Sequence, residues 1–291
     1  MSRVTSILLP LDGSPESAKA AGCALWLAQA LGATLHVLHA TADPVACDAE
    51  LLRLRVPHAQ HAQVVVHQLP GGADAAVLKE IATHHIDLVV MSARGESASA
   101  NAALAQQLGS IARAVIERSP VPVVLLPARY REALPWTSML VAASGEASAD
   151  QALEGATHLA AALRLKVTVV HSANGPLGAA PLGEYADSPH HEYSRRLQQM
   201  VERGLAGCTA AEARCVGEVL LCRGETAPVL LEQVAHHGSS VLALGWHGAL
   251  GTGRALVLKR LLEEADCALL LVRGSEHPRS RLKVDGDMDD T

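Results

Sequence analysis

Apolar positions along the 291-residue chain follow two alternating periods. Short apolar runs read as buried strands. Between them lie longer stretches in which apolar residues recur every three or four positions, the spacing that places them on one face of a helix. Val4–Leu9 is such a run and stops at Pro10; Pro15–Leu31 follows with helical spacing and Ser14 as its N-cap. Leu35–His39 is then a strand, Asp48–His61 a helix, Gln63–Leu69 a strand of edge type and Ala73–His84 a helix. Leu88–Met91 is a buried strand, Gln106–Arg118 a helix and Val121–Leu126 a closing strand. Strands alternating with helices require crossover connections, hence a parallel sheet with helices on both faces.

The same order recurs from Met139 to Val272, and the recurrence is visible residue by residue. At an offset of 132, Leu27, Ala28, Ala30, Leu31, Val37 and His39 return as Leu159, Ala160, Ala162, Leu163, Val169 and His171. At an offset of 152, Gly72, Val77, Leu78, Glu80, His84 and His85 return as Gly224, Val229, Leu230, Glu232, His236 and His237. An offset that changes once and then holds is the mark of a duplication with one insertion, placed at Asn174–Tyr193. The expected units are therefore residues 1–128 and 137–274, joined by Ala128–Trp136. The polar segment Ser275–Thr291 with its acidic end reads as a disordered tail.

Composition narrows the function. The net charge is −6 with no basic block, which argues against nucleic acid. Aromatic content of 2% with no Phe leaves no stacking platform for single strands. The six cysteines form no C-x-x-C pair and read as reduced thiols. No apolar run reaches the ~18 residues of a membrane helix, and the N-terminus lacks the pattern of a signal peptide. A cytoplasmic protein without membrane or nucleic-acid partners is expected.

The candidate chemistry lies in loops. In an open α/β sheet, ligands sit beyond the carboxyl ends of the strands, where strand order reverses. Pro10-Leu11-Asp12-Gly13-Ser14 follows the first strand, Ala40 ends the second, and Ser92-Ala93-Arg94-Gly95 follows the fourth; Gly245-Trp246-His247-Gly248 is the counterpart in the second copy. A loop entering a helix offers free N–H groups to a phosphate, and glycine permits close approach. A carboxylate such as Asp12 suits a ribose hydroxyl or an adenine amine.

These residues resemble the universal stress protein family in its tandem form. Nucleotide-binding members carry an Asp after the first strand and G-x2-G-x9-G-[ST] after the fourth, before a helix and a Pro-Val strand. The first copy matches in Asp12, Gly95, Gly109-Ser110 and Pro122-Val123; it has Ser92 for the first glycine, and 13 residues, not nine, between Gly95 and Gly109. Glu96–Asn101 within that stretch reads as a small polar flap. The second copy keeps Gly245 and Gly248, has Ser144 for the Asp and Ala255-Leu256 for Gly-Ser, and adds Gly251, Gly253 and Arg254 as phosphate-capable groups. The resemblance implies two tandem five-stranded parallel sheets of the adenine-nucleotide α-hydrolase-like class with flavodoxin-like winding. It also implies a non-enzymatic stress regulator, an adenine nucleotide (ATP or AMP) with Mg²⁺ as ligand, and pairing of the two copies through Val121–Leu126 and Ala268–Val272, with homodimers as a further assembly. The rival reading is a pseudo-dimeric scaffold that binds no nucleotide and acts through protein partners.

Other signals carry less. Gly248-x4-Gly253-Arg254 resembles a P-loop but lacks its Lys and Ser/Thr. The pairs His84/His85 and His236/His237 suit helix C-termini, and adjacent residues do not share a helix face, which weighs against metal. His190-His191 reads as loop, and His39 and His171 as core or supporting residues. Ser14, Ser110 and Ser144 have no recognisable triad partners.

Overall fold

In the computed structural model, residues 4–56, 64–95, 108–131, 134–173, 189–251 and 255–274 are described. Ten strands form one sheet: β1 Ser6–Pro10, β2 Thr34–Ala40, β3 Val64–Leu69, β4 Leu88–Ser92, β5 Val123–Leu126, β6 Ser138–Ala142, β7 Lys166–Ala173, β8 Val216–Arg223, β9 Val241–Trp246 and β10 Ala268–Arg273. The helices of the first half are α1 Pro15–Leu31, α2 Cys47–Arg53, α3 Ala73–Thr83 and α4 Ser110–Arg118. Those of the second are α5 Ala147–Leu163, α6 Pro189–Gly204, α7 Ala210–Ala213, α8 Thr226–His237 and α9 Leu256–Glu264.

The sheet order is β3-β2-β1-β4-β5-β10-β9-β6-β7-β8. Pairing is parallel within each half, and one antiparallel seam joins them, with Leu269, Leu270 and Leu271 opposite Leu125, Val124 and Val123. The tandem parallel sheets are as expected, and the copies meet through their last strands. The winding within each half runs 3-2-1-4-5, the order of dinucleotide-binding sheets, whereas flavodoxin runs 2-1-3-4-5. Hydrophobic period shows which residues are buried but not which strand lies beside which, so the pattern could not separate the two. Strand order reverses between β1 and β4, and again between β6 and β9.

Alternation along the strands divides the interior into two apolar layers that each run through both halves. Ile7, Leu9 and Leu35 face one layer together with α1, α5 and Met139; Leu8 and Leu38 face the other with α3, α4 and Leu140. The seam is therefore continuous core. Helix ends follow local chemistry. Ser14 caps α1 by accepting from the Ser17 N–H, and Gly32 closes it at φ 63°. Of the predicted helices 48–61 and 106–118, the structure shows α2 stopping at Arg53, with buried Leu54 and Val56 beyond it, and α4 starting at Ser110 after its N-cap Gly109; residues 57–61 and 106–107 lie outside the described residues. The expected insertion at Asn174–Tyr193 is helical from Pro189, residues 174–188 lie outside the described residues, and so do the flap 96–101 and the tail 275–291.

None of the six cysteines, all of them among the described residues, is in a disulfide. Burial pushes the Cys267 thiol up to about 12. A thiol reagent at neutral pH is expected to modify exposed Cys47 first and to reach buried Cys23 and Cys267 on unfolding alone. Counting released chromophore against time tests this, and rapid labelling of either buried thiol would contradict the packing.

Candidate functional site

The loops after β1 and β4 meet at the first switch point. Pro10 ends β1 and Leu11 continues it, its N–H donating to Leu38 O. Asp12 then turns the chain: its Oδ1 accepts from the Ser14 N–H at 2.9 Å, and its own N–H donates to Ser17 Oγ at 3.4 Å. Gly13 sits at φ 82°, a conformation that favours glycine. The Asp12 carboxylate rests directly on Gly95. A Cβ at Gly95 would overlap Asp12 Oδ2 and stand 3.4 Å from its Cγ. Gly109 is the N-cap of α4, its N–H donating to Ala93 O at 2.7 Å, and among the described residues no side chain bonds the helix end, which leaves first-turn N–H groups of α4 for a ligand beside exposed Ser110.

Pro10, Leu11, Asp12, Ala40, Ser92, Arg94, Gly95, Gly109 and Ser110 all line one pocket of about 60 Å³. An adjoining cleft of about 340 Å³ shares Leu11, Asp12, Ala40 and Ile111 with it and reaches His39 and Gly71. Asp12 is the carboxylate of that lining among the described residues. Ser92, in the place of the first motif glycine, is buried and its Oγ donates to Glu16 O at 2.7 Å, tying β4 to the start of α1. His39 is held by Glu50 through Nδ1, and both are buried. His171 uses its Nδ1 on Ala143 O at 2.7 Å. Both histidines thus serve to hold the structure.

The second half keeps the glycines and gives them different work. Gly245 lies against the backbone of α5: a Cβ there would stand 2.5 Å from Ala149 N and closer still to Ser148. Gly248 has φ 81°, with the Arg273 guanidinium against it. His247 pairs with Glu146 at 2.6 Å. Trp246 is buried and donates from Nε1 to Ile116 O of α4 at 2.9 Å, and the Leu250 N–H donates to Glu117 Oε1 at 3.1 Å. The loop is therefore docked on the first half. Ala255, at the position of the motif glycine, holds a left-handed φ of 53°, and Leu256 after it is exposed. Met200 of α6 lies against Gly145, where the first half has Gly13. Gly253 and Arg254 lie outside the described residues. A pocket of about 450 Å³ remains between Gly245, His247 and Ala255, with an apolar lining of Leu244, Val257 and Leu271.

A larger cavity, about 580 Å³, lies elsewhere, between α1 and α5 at the seam. It is lined chiefly by alanine and leucine, with His158 and Glu212 at its edge, and holds none of the glycine loops. The convergence of backbone donors and a carboxylate, rather than volume, marks the first switch point as the candidate site.

Universal stress protein family models match residues 4–53, 44–127 and 135–273. No curated protein sequence matches the chain significantly. Among solved structures, a universal stress protein from Archaeoglobus fulgidus is 18% identical with a TM-score of 0.64, covering 94% of this chain and 98% of its own. One described as a putative universal stress protein from Pseudomonas aeruginosa is 14% identical with a TM-score of 0.63, covering 93% of each chain. At these identities the likeness concerns the fold, and it extends over both halves. With family matches repeated along nearly the whole described length, the chain belongs to the universal stress protein family, in tandem form.

Proposed function

We propose that this protein is a non-catalytic stress regulator whose first half binds an adenine nucleotide at the β1/β4 switch point, while the second half is a structural partner. The units of action are residues 1–128 and 137–274. The observation that carries the reading is the seating of the Asp12 carboxylate on Gly95 beside the N-terminus of α4, whose N-cap Gly109 brings no side chain and which no side chain bonds among the described residues. Residues from three loops converge there, and the fit to a nucleotide is chemical: phosphate on the α4 N–H groups with Ser110, ribose or adenine on Asp12. A Cβ at Gly109 would meet no described atom nearer than Ala93 O at 3.6 Å, so packing does not demand glycine there, and its lack of a side chain suits the close approach of a phosphate. Asp12 is one carboxylate and already accepts from Ser14, so Mg²⁺ would be held mainly by the phosphates. The ligand would bias packing at the seam, because α4 contacts both the pocket and Trp246.

The experiment is direct. Protein is purified, denatured, and its supernatant resolved by anion exchange; in parallel its thermal midpoint is followed in millimolar Mg-ATP. A bound adenine nucleotide and an upward shift are expected. Asp12→Ala is expected to weaken binding about 10–100-fold, the worth of a hydrogen bond to a charged group. Gly95→Ala is expected to do the same by displacing the carboxylate, with little loss of stability. No nucleotide and no shift in the unmodified protein would sink the reading. The scaffold reading would then stand, favoured by the second half, whose loop is already occupied by the first.

A further inference from the structure

The nucleotide reading leaves unused a group of titratable side chains at the outer edge of the first half. His36 lies on β2 and His67 on β3. Leu38 is the register partner of His67, and His36 is two residues from Leu38, so both imidazoles stand on one face of the sheet. That face is covered by α3, whose C-cap is His84. One ring nitrogen from each of the three histidines lies within 4.8 Å of the other two. His36 Nδ1 is 2.9 Å from His67 Nε2, and the ring centroids are 4.5 to 5.2 Å apart. Glu80, one turn earlier in α3, is 3% exposed. Its Oε2 makes no hydrogen bond, yet lies 3.2 Å from His67 Nδ1 and 3.3 Å from His84 Nε2.

As plain packing this arrangement is costly. Glu80 Oε2 is left without a hydrogen bond among the described residues, and although His36 and His67 can share one hydrogen bond, His84 turns a third ring nitrogen to the same point. A cation among the rings removes both costs. The carbonyl end of α3 adds negative potential at the same point. Imidazole selects ions of the zinc group over calcium or magnesium, which take oxygen ligands.

We propose that His36, His67 and His84 hold one divalent transition-metal ion of the zinc class, with Glu80 orienting His67 and His84 from the far side of their rings. On a tetrahedral zinc, with bonds of about 2.0–2.1 Å, two imidazole nitrogens stand about 3.4 Å apart, so His36 and His67 separate by roughly half an ångström to admit the ion. The fourth position goes to water. His84, with its side chain 36% exposed, opens the site to solvent. The ion ties β2, edge strand β3 and α3 together. The second half has no counterpart: Thr168 and Leu220 occupy the positions of His36 and His67, so Glu232 and His236 are kept without two of the three ring ligands. The site is a property of this half and not of the duplicated fold.

Untagged full-length protein, stripped by chelation and dialysed at neutral pH, is titrated with Zn²⁺ by calorimetry and with Co²⁺ by absorption. Uptake of one Zn²⁺ at these histidines, a higher thermal midpoint, and cobalt bands of a nitrogen- and oxygen-ligated site are expected. His67→Ala and His84→Ala are expected to abolish that uptake. Glu80→Gln is expected to weaken it about 10–100-fold, the range for an orienting carboxylate. His84 is the more exposed position, so His84→Ala serves if His67→Ala fails to fold. Unchanged uptake in His84→Ala, no saturable uptake by the unmodified protein, or thiolate charge-transfer bands with Co²⁺ would each overturn the assignment.

Discussion

Replacing Trp246 by alanine is expected to cost about 3–5 kcal/mol of stability, the range for deleting a buried aromatic side chain from a core. Trp246 is 6% exposed at the end of β9, and its indole Nε1 donates to Ile116 O, 130 residues away in α4. Truncation removes the apolar transfer term, leaves a cavity at the seam and strips the Ile116 carbonyl of its donor. Trp246→Phe keeps most of the area and loses the hydrogen bond, so a smaller loss of about 0.5–1.5 kcal/mol is expected. Urea melts followed by far-ultraviolet dichroism and by fluorescence measure both. A chain of two units need not unfold in one step, so the first transition is the one compared. The alanine variant is also expected to separate the two probes' midpoints, because Trp246 holds the halves together across the seam. A loss below about 1 kcal/mol would mean that the docked loop contributes little.

Gly245→Ala is expected to be nearly as damaging with a single added carbon. The new Cβ would stand 2.5 Å from Ala149 N and closer to Ser148 carbonyl atoms, which are backbone of α5 and cannot rotate away. Helix α5 must shift on the sheet, at about 1–3 kcal/mol or somewhat more. That corresponds to a fall in thermal midpoint of several degrees, at about 2–4 °C per kcal/mol for chains of this order of size. Nucleotide binding by the first half is expected to be unaffected. Gly95→Ala gives the opposite pattern, since the atom it meets is the end of the Asp12 side chain, which can swing aside at the expense of the site. Equal stability losses in the two variants would erase the distinction between a packing glycine and a binding one.

That distinction was not available from the motif. By sequence Gly245 and Gly95 both read as motif glycines after a fourth strand, whereas in the fold Gly245 is the last residue but one of β9. What separates them is the neighbour: a helix backbone in one case, a carboxylate in the other. The histidines show the same limit. Weighed as the adjacent pair His84 and His85, they argue against a metal, because neighbours on a helix diverge. In the fold the pair splits. His85 takes a φ of 48°, while His84 joins His36 and His67 from two strands. A signal was present in the strands, since His36 and His67 occupy inward positions of two adjacent segments, but their register could not be known in advance.

The sequence by itself determined the duplication, the α/β class, most element positions and the loops where ligand chemistry can occur. These follow from period, caps and glycines, which act within a few residues and are therefore written locally. Tertiary structure alone decided the 3-2-1-4-5 winding, the docking of the Trp246 loop on α4, the packing role of Gly245 and the meeting of His36, His67, His84 and Glu80. Each of these depends on which strand lies beside which and in what register. That choice is made by burial summed over the whole sheet, and no short stretch of chain encodes it.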